Sequence, residues 1–207
     1  MPRFAHAALA LLLAGTGAHA STSLTSTLTN GQETAVVVPT TSTGAPRPVS
    51  FGTAALVVND AMTSMSFQAV INNIDITGTQ TADINDNLVA AHIHAPAPAG
   101  SNAPVVWGFF GSPFNDNSPN DVVLTPFASG VGGTISAKWD PSEGNNTTFS
   151  AQASNILNGR AYLNFHTTQF AGGEIRGQIL VVPEPETYAL MLAGLGALGL
   201  VARRRKR

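Results

Sequence analysis

A chain of 207 residues without a cysteine has neither disulfides nor thiolate chemistry, so thiol enzymes and cysteine-based zinc sites are excluded. The formal net charge of −2 hides an uneven distribution, because five of the ten basic residues stand at positions 203–207. Between Ser21 and Val182 there are four basic and ten acidic residues. A domain with this charge repels phosphate backbones, so no nucleic-acid partner is expected.

Residues 1–20 predict a secretory signal peptide. Arg3 precedes an apolar run from Ala7 to Ala14, and Ala18-His19-Ala20 has the A-x-A pattern that signal peptidase cuts. The apolar run is too short to span a bilayer as a permanent helix. We therefore expect export, with signal peptidase as a partner during processing.

Residues 21–182 predict one all-β domain, an antiparallel β-sandwich of Greek-key-like type. Short apolar or alternating runs are separated by Gly, Asn, Asp and Pro at close spacing, and no amphipathic helix is expected among them. The predicted strands are Thr22–Thr29, Gly52–Val58, Ser64–Ile71, Leu88–His94, Val105–Phe110, Thr134–Trp139, Thr147–Ala153, Ala161–His166 and Glu174–Val181. The predicted core contains Met65, Phe67, Ile71, Leu163 and Phe165.

Three motifs stand out within this domain. They are Asn30-Gly31-Gln32-Glu33, Ala91-His92-Ile93-His94, and Tyr162-Leu163-Asn164-Phe165-His166-Thr167 followed by Gly172-Gly173-Glu174-Ile175-Arg176-Gly177-Gln178. In this order, over about Ser21 to Val181, they resemble the CHRD domain, first described in chordin and common in bacterial exported proteins. One departure is that Glu33 is followed by Thr34, whereas family members usually have proline close behind. The resemblance implies an all-β fold and no agreed enzymatic activity.

Two histidines, His92 and His94, stand two apart on a predicted strand, so both imidazoles lie on one face. His166 ends another predicted strand and can converge with them, which predicts a site for copper or zinc. The arrangement is similar to copper/zinc superoxide dismutase, a β-sandwich with a His-x-His strand, although no full dismutase ligand set is present. The alternative is that the histidines are structural and hydrogen-bond a buried loop or each other.

Other candidate residues favour structural roles. Glu174 and Arg176 are also two apart and share a face, which predicts an ion pair or a brace on the loop after His166. No Gly-x-Ser-x-Gly motif supports a serine hydrolase. Trp107 and Trp139 can in principle stack on sugars, but each lies in a strand pattern that predicts a core position.

The C-terminal segment, residues 183–207, predicts a sorting tail. Pro183-Glu184-Pro185 interrupts the last strand, an apolar stretch at 188–202 predicts a short transmembrane helix, and the basic cluster at 203–207 favours the cytoplasmic side. This order resembles the PEP-CTERM sorting signals of bacterial exported proteins. The resemblance implies an exosortase as partner, removal of the tail, and a membrane attachment that is transient or permanent.

The sequence therefore predicts an exported cell-surface or extracellular-matrix protein, including biofilm matrix, that acts as a non-enzymatic structural or interaction module. One alternative is a copper- or zinc-binding metalloprotein that uses His92, His94 and His166. The other is a polysaccharide-binding module, and surface proteins are further possible partners.

Overall fold

The computed structural model describes residues 21–183, 191–195, 198 and 203. The predicted signal peptide, Glu184 and Pro185 of the sorting motif, and most of the predicted transmembrane helix lie outside the described residues. The described residues at 191–195, 198 and 203 are helical. None of the helices in the described part of the chain is long and apolar enough to cross a membrane.

Ten strands, one 3-10 helix and one α-helix form the domain, so the predicted all-β class is confirmed. The strands are β1 (Thr22–Thr29), β2 (Phe51–Val58), β3 (Met65–Asn72), β4 (Leu88–His94), β5 (Val105–Phe110), β6 (Val123–Pro126), β7 (Gly132–Trp139), β8 (Tyr162–Thr167), β9 (Ile175–Gln178) and β10 (Leu180–Val181). The 3-10 helix spans Asn30–Gln32 and α1 spans Phe149–Leu157.

Nine strands form one antiparallel sheet in the order β5-β4-β8-β9-β1-β2-β3-β7-β6, and β10 pairs with β1. The sheet curls so that its two ends face each other. The Phe67 ring of β3 lies 4.6 Å from the Phe109 ring of β5, and Trp107 of β5 stacks on Trp139 of β7 at 5.5 Å. The apolar core fills the space between the two halves of the sheet.

Period-two alternation accounts for most of this packing. In β2 and β3 every second side chain is buried, and the partners in adjacent strands are in register, as in the pair Leu56 and Phe67. The five predicted core residues are all buried. Trp107 and Trp139 are fully buried as well, so neither indole is available to stack on a sugar.

The predicted strand at Thr147–Ala153 is wrong, because this segment begins α1. Thr148 caps the helix, its side chain accepting a hydrogen bond from the Ala151 N–H. Phe149, Ala153 and Ile156 follow at helical spacing and bury one stripe of the helix. The apolar period of 3.6 residues decides the structure of this segment.

Candidate metal centre

The register of β4 and β8 brings the three predicted histidines together. His92 and His94 lie on one face of β4, and in β8 Asn164 pairs with His92 while His166 pairs with Ala90. His166 is thereby a diagonal cross-strand neighbour of His92. The imidazole centroids lie 4.9 Å apart for His92 and His166, 5.7 Å for His92 and His94, and 6.2 Å for His94 and His166. We call these three residues the histidine cluster.

Three different loops each supply a backbone carbonyl to the histidine cluster. Nε2 of His92 lies 3.1 Å from the Ser112 oxygen, and Nδ1 of His94 lies 2.9 Å from the Ala103 oxygen. Nδ1 of His166 lies 3.0 Å from the Ala171 oxygen. A carbonyl oxygen only accepts, so each of these ring nitrogens carries the hydrogen and donates it. The loops therefore set the tautomer of all three rings.

The other nitrogen of each ring then presents a lone pair to the interior of the cluster. Nδ1 of His92 and Nε2 of His166 lie 3.2 Å apart, and with neutral rings no hydrogen is left to join them. Nε2 of His94 is buried and has no hydrogen-bond partner. Facing lone pairs and an unpartnered buried acceptor are unfavourable unless a cation lies between them.

Burial keeps these imidazoles neutral at physiological pH. Only 4% of His92, 8% of His94 and 7% of His166 is exposed. Burial lowers the pKa of His92 to about 4, and charge on the two neighbouring imidazoles acts in the same direction. Burial also lowers the pKa of His94 to about 4 and lowers the pKa of His166. The neutral form is the one that binds metals.

The donor set fits copper or zinc. One nitrogen from each histidine lies within 4.8 Å of the others, and this is the one such group of three or more possible ligands in the described part of the chain. Metal–imidazole bonds of about 2.0 to 2.1 Å put neighbouring nitrogens about 3.3 to 3.6 Å apart, so the pair His92 and His166 is close to ligand spacing. Metal-bound histidines typically donate their second N–H to a carbonyl or carboxylate, as all three do here.

The wall beside the histidine cluster is polar and buried. Tyr162 stacks on His94 with ring centroids 4.7 Å apart, and the Arg176 guanidinium lies 3.4 Å from the centroid of the same phenol ring. Tyr162, Asn164 and His166 alternate along β8 with apolar residues, yet every residue of this strand is buried. One face of β8 therefore enters the core and the other forms a polar interior under the loops.

Close backbone approach requires Gly108 next to the site. A Cβ at this position would lie 1.8 Å from the Pro113 oxygen and 3.0 Å from Cδ2 of His92. The Gly108 oxygen also accepts hydrogen bonds from the N–H groups of Asn115 and Asp116. Gly108 thus lets the loop after β5 reach the position from which Ser112 holds His92.

A second polar region adjoins the cluster through Asn164. Oδ1 of Asn164 and Oε1 of Glu33 are buried acceptors without partners. Both oxygens lie 2.5 Å from the position that a Cβ on Gly173 would occupy. The distance between the two oxygens is therefore at most 5.0 Å. Burial raises the pKa of Glu33 to about 7, with Arg176 opposing the shift. Glu33 and Asn164 thus bring two unpartnered acceptors to one buried polar region beside Gly173.

Of the two predicted roles for Glu174 and Arg176, the structure shows a brace on the loop after His166 and no ion pair between the two residues. The Glu174 carboxylate is fully buried and binds the Arg47 guanidinium, and Oε2 accepts a hydrogen bond from the Thr167 hydroxyl. Arg176 instead donates to Oδ1 of Asn102 and to the Ser101 oxygen. Glu174 lies in the loop before β9, since the β8–β9 pairing begins at Ile175.

Sequence reasoning found the three histidines and missed the residues around them. The alternation of Tyr162, Asn164 and His166 was a usable signal, since it puts three polar side chains on one face of a strand. Glu33 and Arg176 belonged to recognised motifs, but nothing local indicated that they approach Asn164 and Tyr162. The carbonyls of Ser112, Ala103 and Ala171 have no side-chain signal at all.

Comparison with known proteins supports both resemblances stated from the motifs. A model of the CHRD domain matches residues 24–179, and a model of the PEP-CTERM protein-sorting motif matches residues 181–206. No curated protein and no solved structure matches the chain, so a relation to superoxide dismutase stays a prediction. The PEP-CTERM signal indicates export, processing by exosortase and sorting to the cell surface. The chain belongs to the CHRD domain family.

Proposed function

We propose that this surface-sorted CHRD protein binds one copper or zinc ion per chain through His92, His94 and His166. The observation that carries the proposal is the convergence of three imidazole lone pairs whose tautomers are set by three carbonyls. A structural histidine needs one satisfied hydrogen bond on each nitrogen that is buried. The inward nitrogens of this cluster lack such donors, and a metal ion supplies what they lack.

Elemental analysis of the exported protein tests this proposal. The protein is purified after export, dialysed against a chelator, reloaded with copper or zinc, and its bound metal is counted. We expect one ion per chain in the wild type and none in His92→Ala. Gln68→Ala, an exposed residue on the outer face of β3, serves as the matched control and should bind like the wild type.

Two results would contradict the metal proposal. One is reloaded wild type without metal above background, and the other is His92→Ala with undiminished uptake. Circular dichroism of each variant shows whether a loss of metal follows from a loss of fold. Either contradiction would leave the histidine cluster as a structural element.

We further propose an interaction role for the outer face of β1, β2, β3 and β7. Lys138 is the one charged residue in these four strands, and the face otherwise presents hydroxyl, amide and apolar side chains such as Thr53, Gln68 and Val70. A face with a single charge suits neutral polysaccharides or surface proteins of the matrix. A glycan panel with wild type and Thr53→Lys checks it: binding that the lysine abolishes supports this face, and binding to no glycan removes the support for polysaccharide.

A further inference from the structure

The histidine cluster brings three donors and no negative charge to its ion. The possible ligands found together are all imidazoles, with no carboxylate among them in the described part of the chain. The Glu174 carboxylate is already bound to Arg47. None of these ligands therefore neutralises the positive charge of a metal ion.

A buried cation stands close to the same site. The Arg176 guanidinium lies 3.4 Å from the Tyr162 centroid, and that centroid lies 4.7 Å from the centroid of His94. The guanidinium carbon is thus no farther from the His94 ring than these two distances combined. Arg176 is 2% exposed, so water screens its charge poorly.

The neutral ligand set and the nearby charge of Arg176 both weaken the binding of a dication more than that of a monocation. The free energy of transferring an ion from water into a medium of low dielectric constant rises with the square of the charge. Repulsion from Arg176 rises in proportion to the charge. At an effective dielectric constant of about 20 and a separation of about 10 Å, one extra unit of charge weakens binding by about tenfold.

Ligand chemistry then selects the metal. Among divalent ions, a nitrogen site binds Cu(II) more tightly than Zn(II). Among monovalent ions, Cu(I) is the one that takes imidazole donors, because imidazole nitrogen suits copper. Na⁺ and K⁺ prefer oxygen ligands.

Building on the proposed metal site, we infer that it is a copper centre that stabilises Cu(I) relative to Cu(II) and binds zinc more weakly than Cu(I). Bound Cu(II) takes one electron from an external one-electron donor and becomes Cu(I). No proton is taken up or released in this step, because the three imidazole ligands are neutral with Cu(II) and with Cu(I). The reduction potential of the bound ion is then more positive than that of aqueous copper.

Competition titrations of the metal-free exported protein test the inference. Under anaerobic conditions Cu(I) is partitioned against bathocuproine disulfonate, and Zn(II) is partitioned against a zinc-chelating dye. We expect a dissociation constant at least about tenfold lower for Cu(I) than for Zn(II). Ascorbate should reduce the Cu(II)-loaded protein without releasing copper.

An isosteric substitution tests the electrostatic cause. Asn164→Asp puts a carboxylate beside His92 with little change in shape, and it should reduce the preference for Cu(I) over Zn(II) by about tenfold. Asn120→Asp is the matched control, since Asn120 is exposed and its Oδ1 accepts from the Val122 N–H, a bond that aspartate retains. The control should keep the wild-type preference.

The outcomes separate this inference from the proposed function. If wild type takes up one ion per chain but binds Zn(II) as tightly as Cu(I), the metal site stands and the copper inference is overturned. If wild type binds neither ion, both are overturned. A folded Asn164→Asp protein with unchanged preference would overturn the charge argument, and the wild-type titrations decide the inference if this variant does not fold.

Discussion

Replacing Gly108 with alanine should weaken the metal site without removing a ligand. The new Cβ would lie 1.8 Å from the Pro113 oxygen, whereas carbon and oxygen in van der Waals contact are more than 3 Å apart. The loop after β5 must therefore move away by about 1.5 Å. The hydrogen bond between His92 and the Ser112 oxygen, now 3.1 Å long, cannot survive a shift of that size.

The expected result is a metal affinity lower by about tenfold to a hundredfold, the usual effect of losing a residue that orients a metal-bound histidine. Chelator competition on the exported Gly108→Ala protein measures it. Gly31→Ala is the matched control, because a Cβ at Gly31 meets nothing within 4 Å and its φ is not positive. The control should bind as the wild type does.

A Gly108→Ala protein that binds metal with wild-type affinity would refute the reasoning. It would mean that His92 keeps its orientation without the Ser112 carbonyl. A crystal structure of the variant would then show whether the loop moved and left the ring in place. A loss of the fold, detected by circular dichroism, would be attributed to breaking the two hydrogen bonds that the Gly108 oxygen accepts from the loop.

Three further predictions concern pH, a buried ion pair and sorting. In the metal-free protein the pKa values of the histidine cluster are lowered, so between about pH 6.5 and 4 the unfolded chain binds more protons than the folded protein. The free energy of unfolding should therefore decrease as the pH falls through that window. Denaturant titrations at both ends of the window should show a larger decrease in wild type than in a variant with all three histidines replaced by glutamine; equal decreases would contradict the shifts. Arg47→Ala leaves the Glu174 carboxylate buried without its cation and should destabilise the protein by about 3–5 kcal/mol. Arg160→Ala is the control, because Arg160 is exposed, and it should leave stability unchanged. Calorimetry measures the stability of both variants. Replacing 183–185 by three alanines should leave the C-terminal tail uncleaved, which intact mass measures, and normal cleavage would argue against recognition of this motif.

Two buried carboxyls affect the pH dependence of stability in the opposite direction, and they are present in both the wild type and the glutamine variant. Burial raises the pKa of Glu33 and of Asp116 to about 7. Such carboxyls contribute stability at low pH that is lost as the pH rises toward 7, which is opposite to the effect of the histidines. Since the glutamine variant retains both carboxyls, the difference between the two proteins isolates the histidine cluster.

Local patterns were enough for the strands and for part of the site. Met65 and Phe67 alternate with exposed residues in β3, so the core face of this strand was predictable from a period of two. The same rule put His92 and His94 on one face of β4. It failed at α1, where Phe149 and Ala153 repeat with the period of a helix inside a short segment.

Partners far apart in the chain were not predictable in the same way. Glu174 has Arg176 two residues away but binds Arg47, which is 127 residues distant. Spacing along a strand shows which side chains share a face, and it does not show which loop covers that face. The path of the loop that contains Arg47 decides this pair.

By itself, the sequence determined the all-β class, the histidine pair on one strand, the family and the C-terminal sorting signal, because these depend on short-range periodicity or on contiguous motifs. Only the tertiary structure decided that His166 joins that pair. The register of β4 against β8 joins residues 74 apart, and three loops supply the carbonyls that turn each lone pair inward. Metal-binding geometry is a property of strand register and loop path, which no local pattern specifies.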